Sequence, residues 1–156
     1  MDNLKIIFEK DFNPAEIKIS PRPVWKCRNC VEYNLNPSCP PYAPDWREAE
    51  KFIKSYKKAR IYKFGVDIKY YKESKKKIER YLIEVEKQNF RKYNYVYAIY
   101  PGSCNYCDKC TFDMAIGRCK NFQYVRPSIN AIGIEISSIV DIDFNEQVLY
   151  GIILFE

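Results

Sequence analysis

Residues 93–110 read Tyr93-Asn94-Tyr95-Val96-Tyr97-Ala98-Ile99-Tyr100-Pro101-Gly102-Ser103-Cys104-Asn105-Tyr106-Cys107-Asp108-Lys109-Cys110. The first eight positions are nearly all apolar or aromatic, so residues 93–100 are expected to form a central strand. The next ten change character. Pro, Gly, Ser, Asn and Asp alternate with three Cys, which is a loop composition. A strand that runs straight into such a loop puts the cysteines at its carboxyl end, where sites in open α/β sheets tend to lie.

Upstream, Tyr62, Phe64, Val66 and Ile68 alternate with polar or small residues and predict a half-buried strand. Residues 73–92 turn to helical period, with Ile78, Tyr81, Leu82 and Val85 on one face. A strand–helix–strand unit of this length usually makes parallel neighbours through a right-handed crossover. Further upstream, Asp45 is a candidate N-cap with Glu48 three residues on, and Trp46, Ala49, Ile53 and Tyr56 give the following helix an apolar face. Six prolines crowd residues 21–44, a density that argues against regular helix and for an extended loop wrapping a site. Residues 4–8 and 17–19 read as short strands. Downstream, Arg126-Pro127-Ser128 is a candidate helix start, and residues 148–155 read as a buried last strand. The expected fold is α/β or α+β: a single-domain sandwich over residues 1–156, with a small mixed, partly parallel sheet, flanking helices and two Cys-bearing metal loops.

The chain of 156 residues has seven Cys and no His. An odd count excludes a fully paired disulfide framework within one chain. Without imidazole there is no Ser-His-Asp or Cys-His nucleophile, no His-held zinc and no His-held haem. Any metal is held by thiolate or oxygen. One set is Cys104, Cys107 and Cys110 at two-residue gaps, with Cys119 eight residues on; the other is Cys27, Cys30 and Cys39, followed by Pro40-Pro41. Structural zinc usually draws its ligands from two Cys-x2-Cys knuckles. A Cys-x2-Cys-x2-Cys triple instead opens the bacterial ferredoxin run and wraps a cuboidal cluster. The spacing points to a [4Fe–4S] cluster, with zinc on four thiolates as the alternative. In ferredoxins the fourth Cys comes three residues on and precedes Pro. Here Lys120 follows Cys119 and the Cys-Pro pair is Cys39-Pro40, so exchange of Cys39 and Cys119 between the sets stays open. Taken alone, the first set leaves one iron of a cubane without a thiolate, free to bind a small ligand. One or two clusters fit the ligand count. Trp25 and Tyr42 flank the first set and either shield a cluster or fill the core.

Charge is uneven. Of 26 basic and 20 acidic residues, residues 51–92 hold 15 and 5, a local net of +10 within an overall +6. Such a run is usually the solvated face of amphipathic helices. The functional alternative is a docking face for nucleic acid or an acidic partner, but no nucleic-acid motif accompanies it. Five Gly form no phosphate loop or dinucleotide fingerprint. The uncharged run of residues 147–155 is too short to span a bilayer, and residues 1–5 show no signal-peptide pattern. The protein is expected to be soluble and cytoplasmic, with no membrane partner. The aromatic content leaves oligomeric state open.

Cys27-x2-Cys30, Cys39-Pro40-Pro41-Tyr42, Cys104-x2-Cys107-x2-Cys110, Cys119 and Arg126-Pro127-Ser128, in that order, resemble a family of cysteine-rich proteins of anaerobic archaea and bacteria described as predicted metal-binding. The resemblance spans nearly the whole chain. It implies that all seven Cys and the Arg-Pro-Ser segment belong to one site region, and it implies no reaction. It also implies a longer helix where residues 135–145 stand.

The expected function is an iron–sulfur protein that carries electrons or senses redox state for a protein partner. Arg126 and the Pro-rich loop are expected to tune its charge and solvent access. An enzyme with an open cluster at Cys27, Cys30 and Cys39, and a zinc-stabilised module for interaction or RNA binding, are the alternatives.

Overall fold

The computed structural model describes residues 4–156, so the first three residues of the N-terminal reading and of the 1–156 span lie outside the described residues. Six strands are formed: β1 (Lys5–Phe12), β2 (Lys18–Ile19), β3 (Lys58–Gly65), β4 (Val96–Ile99), β5 (Ile134–Glu135) and β6 (Val148–Phe155). Three α-helices join them: α1 (Pro21–Cys27), α2 (Trp46–Lys54) and α3 (Tyr71–Gln88). The main sheet has the order β1-β3-β6-β4, and β2 pairs with β5 in a separate ribbon.

Strand alternation divides the core in two. Tyr62, Phe64, Val96, Ala98, Ile153 and Phe155 face α3, where Ile78, Leu82, Ile83 and Val85 cover them. Ala59, Ile61, Ile99, Ile152 and Leu154 point the other way, against Ala49 and Ile53 of α2 and Ile19 and Ile134 of the ribbon. Each such aliphatic side chain, fully buried, contributes about 1.5–3 kcal/mol. Gly151 lets α3 approach the sheet: a Cβ there would stand 2.7 Å from Leu82 Cδ1. Asp45 caps α2 as its position suggests, its Oδ1 accepting Arg47 N–H at 2.9 Å. Edge strand β1 is largely exposed and carries Lys5, Glu9, Lys10 and Asp11, charges that discourage further pairing. No helix among the described residues is long and apolar enough to cross a membrane.

The mixed α/β character holds, but the sheet is antiparallel throughout, not partly parallel. β3 and β4 do run the same way around α3; β6 lies between them and pairs antiparallel with both. The continuously apolar β6 takes the position with two neighbours, where an apolar strand buries most. The strand expected over residues 93–100 is shortened to β4 and sits at an edge instead of the centre. Regular helix also occurs in the proline-dense segment. Pro21 and Pro23 fall in the first turn of α1, where backbone N–H groups have no helical acceptor, and Ser20 Oγ caps it by accepting Arg22 N–H at 3.2 Å. Arg126-Pro127-Ser128 opens no helix. It runs extended beside β4, with Tyr100 N–H bonded to Pro127 O and Ile129 N–H to Tyr100 O, both at 2.9 Å. Residues 135–145 hold a 3-10 turn, Ile136–Ser138, and no α-helix.

Candidate metal centre

Residues 100–110 leave β4 at its carboxyl end, beside the amino-terminal half of α3, and four side chains of that half grip them. Lys75 Nζ donates to Ser103 Oγ at 2.8 Å, and Glu79 Oε1 accepts Asn105 N–H at 2.6 Å. Arg80 Nε donates to Tyr106 O at 3.0 Å, and Lys76 Nζ meets Asp108 Oδ1 at 2.7 Å. Part of the basic run is therefore a cradle for the cysteine loop, not a solvated face. Lys75 and Glu79 are 2% and 0% exposed. Glu79 Oε2 is buried without a hydrogen-bond partner in ordinary geometry, and the Cys104 thiol interacts with the same carboxylate.

Two sulfurs of the second set have an N–H donor. Asn121 Nδ2 donates to Cys107 Sγ at 3.0 Å and Phe112 N–H to Cys110 Sγ at 3.4 Å. The backbone at Tyr106 and at Asn121 favours the anionic forms of Cys104 and Cys119, against the burial that raises both. A thiol sulfur is a weak acceptor, whereas a thiolate is a strong one. In the first set, Glu32 N–H approaches Cys30 Sγ at 3.5 Å.

Electrostatic coupling among the thiols follows the order of the sets in the chain. The thiols acting on Cys39 are Cys27 and Cys30, and those acting on Cys119 are Cys107 and Cys110. The two loops are fastened together by Asn36, whose Oδ1 accepts Cys104 N–H at 2.8 Å and Ser38 N–H at 3.0 Å, while Nδ2 donates to Cys104 O at 3.1 Å. The Tyr42 ring stands edge-on to Phe112 at 4.9 Å. Ser128 N–H closes the back of the first loop on Ser38 O at 3.0 Å. Among the described residues, no group of three or more Cys, Asp or Glu side chains is placed so that it could hold a metal ion.

Burial governs the metal-free thiols. It pushes Cys39 up to about 12, with Cys27 and Cys30 adding to it, and Cys104 up to about 12, with Glu79 adding to it. Cys27 and Cys119 are raised for the same first reason. Burial also raises Glu79, to about 8, against the pull of Lys75, and lowers Lys75 against the pull of Glu79, Cys39, Glu32 and Cys104. A bound cation reverses this balance by supplying the positive charge that a thiolate needs.

The donor chemistry is that of a thiolate-held metal group: four thiols within residues 104–119, N–H donors at Cys107 and Cys110, and the buried Lys75 beside their loop. Residues 10–145 match the family model described as Predicted metal-binding protein (DUF2284), a domain of unknown function. The chain belongs to this family. Neither a curated protein nor a solved structure matches it. Membership agrees with the resemblance read from the Cys and Arg-Pro-Ser motifs and supports metal binding without specifying the metal. Arg126 of the Arg-Pro-Ser segment and Trp25 beside the first set have surroundings of their own. Arg126 is committed to Glu86, through Nε at 3.0 Å and Nη2 at 2.5 Å, and to the carbonyls of Gln123 and Val125. Trp25 is 64% exposed. Asn36, Lys75, Glu79, Ser103 and Asn121 are the residues that reading for ligands overlooks. One signal for the helical pair was present: positions 75, 79, 82 and 86 share one face of α3, so charges at 75, 79 and 86 stand on its apolar stripe.

Proposed function

We propose that Cys104, Cys107, Cys110 and Cys119 hold a [4Fe–4S] cluster, and that the chain acts as one metal-binding domain in electron transfer or redox sensing for a protein partner. The observation that carries this is the pair of N–H donors at Cys107 and Cys110, since hydrogen bonds to cluster sulfurs are a main control on reduction potential. When bound, the cluster would supply a one-electron couple. The chain's own residues do the rest: the α3 cradle orients the loop, and the donors stabilise anionic sulfur. Zinc on the same four thiolates is the alternative occupant.

Cys27, Cys30 and Cys39 make a second, three-thiolate set for a further centre. Its missing fourth thiolate, with Lys75 as an electrostatic neighbour of Cys39, favours an open position for a small ligand. The long gap of each set exposes apolar side chains, Val31 and Leu35 in one and Met114 and Ile116 in the other, which suits contact with a protein partner in the cytoplasm.

The test is iron, zinc and acid-labile sulfide on protein purified without oxygen, with a visible absorption spectrum of the same sample. Brown protein with about four iron and matching sulfide supports one cubane, and about eight supports two. Colourless protein with about one zinc overturns the redox reading.

A further inference from the structure

We propose that Lys75 is the charge-setting and positioning residue of this centre: its buried ammonium, anchored on Ser103 of the second Cys loop and close to Cys39 of the first, is the fixed counter-charge of both. The inference rests on the iron–sulfur reading and goes beyond the ligands to a residue that touches no metal.

The placement is specific. Lys75 lies one turn and a half inside α3, on the face that packs against the sheet, and is 2% exposed. A surface lysine keeps its head in water; this one is enclosed, and burying an ammonium is expensive unless anionic groups surround it. Its one hydrogen bond to a protein group is to the Ser103 hydroxyl, a neutral partner one residue before Cys104. Gly102 makes room for it, since a Cβ there would stand 3.3 Å from Nζ. The groups acting on it electrostatically are Glu79, Cys39, Glu32 and Cys104, drawn from α3 and from both Cys loops, and the two thiols turn anionic when they hold a metal group. Glu79 is held in turn by Asn105 N–H, so residues 102, 103 and 105 are all arranged around the pair. A lone carboxylate would neutralise one ammonium without any need for two cysteine loops. The convergence of both loops on Lys75 is explained by an anionic thiolate centre there. A [4Fe–4S] core with four thiolates carries about −2, and accepting one electron makes it one unit more negative. A nearby fixed cation stabilises that added charge and raises the reduction potential.

The test is a mediated redox titration of the assembled protein, followed by visible absorption, for wild type and three variants. Lys75→Met removes charge and hydrogen bond; Lys75→Gln removes the charge but keeps a donor for Ser103; Lys75→Arg keeps the charge. The expected result is a potential more negative in the Met and Gln variants by about 59 mV, a tenfold change in the one-electron equilibrium, with Arg close to wild type. Loss of the centre in Met and Gln but not in Arg supports the same conclusion at the level of assembly. An unchanged potential in Gln, or loss of the centre in all three, overturns it, because a merely structural lysine gives those results. Wild-type protein without labile sulfide is seen before any variant is made, and it would remove the function reading and this inference together.

Discussion

The Cys104 loop and the Cys27 loop carry the same side chain on different foundations. Residues 104–110 continue from a sheet strand and are gripped by Lys75, Lys76, Glu79 and Arg80 of an 18-residue helix. Residues 27–39 leave a seven-residue helix and bond largely to themselves, through turns such as Cys30 N–H to Cys27 O and Cys39 N–H to Asn36 O. In the first case two sulfurs, those of Cys107 and Cys110, have N–H donors; in the second, the donor found is Glu32 N–H at Cys30. Cysteine spacing can be written into a chain without regard to its surroundings. Donors and counter-charge have to be built from the fold, and they mark the 104–119 loop as the better-founded centre.

The largest effect should come from deleting thiolates. Cys107→Ser or Cys110→Ser should abolish metal and labile sulfide at the second set. Cys27→Ser should leave most of both in place. Metal analysis on anaerobic protein checks this, and loss of all metal and sulfide from Cys27→Ser as well would break the comparison, pointing to one centre with shared ligands. Next comes the layer around the ligands. Asn121→Leu removes the donor to Cys107 Sγ, and loss of such a partner typically weakens metal binding by about 10–100-fold. Competition with a chelator measures it, while the denaturation midpoint of the metal-free protein should hardly move.

The legible parts of this molecule are those whose signal is local. α2 announces itself by Asp45 and its apolar face, β6 by eight successive apolar or small residues, and the loop over residues 101–110 by its Pro, Gly, Ser and Asn. The illegible parts depend on partners far along the chain. Nothing local says that β6 slides between β3 and β4, because insertion is decided by which strand gains most from two neighbours. The prolines of α1 mislead for a related reason: their density argues for loop, while position within a turn decides whether a proline is tolerated. Arg126 was given to the site on proximity in the motif, although its geometry is fixed by Glu86, 40 residues away. Asn36 shows the limit most clearly. Its neighbours Pro37 and Ser38 mark a turn, but its bidentate grip on Cys104 crosses 68 residues.

That grip is the next place to act on the comparison. Asn36→Leu leaves the N–H and C=O of Cys104 and the N–H of Ser38 without their partner. With each buried unpaired group costing about 1–3 kcal/mol, and water reaching part of the site, a loss of about 3 kcal/mol is expected. Urea denaturation of the metal-free protein measures it. A loss below 1 kcal/mol would mean that the loops stand independently, which sharpens the case for two separate centres.

The smallest effect is one that the loops should share. Cys39 in one and Cys104 in the other are pushed up to about 12 by burial, from an ordinary 9.0. The folded metal-free protein therefore holds these two protons more tightly than the unfolded chain does. Their contribution to stability is fully present below pH 9 and is lost as pH rises toward 12, at a slope no greater than about 1.4 kcal/mol per pH unit for each thiol. Tyr56, also raised to about 12 by burial, adds to the same decline. The urea midpoint of metal-free protein should thus fall above pH 9, and Cys39→Ala or Cys104→Ala should each flatten that fall. Metal loading reverses the sign, because binding releases these protons and is favoured as pH rises. Loaded protein should therefore hold its midpoint across the interval in which metal-free protein declines. A Cys39→Ala variant that flattens the metal-free curve, while loaded Cys39→Ala matches loaded wild type, would place Cys39 outside the centre that Cys104 helps to form.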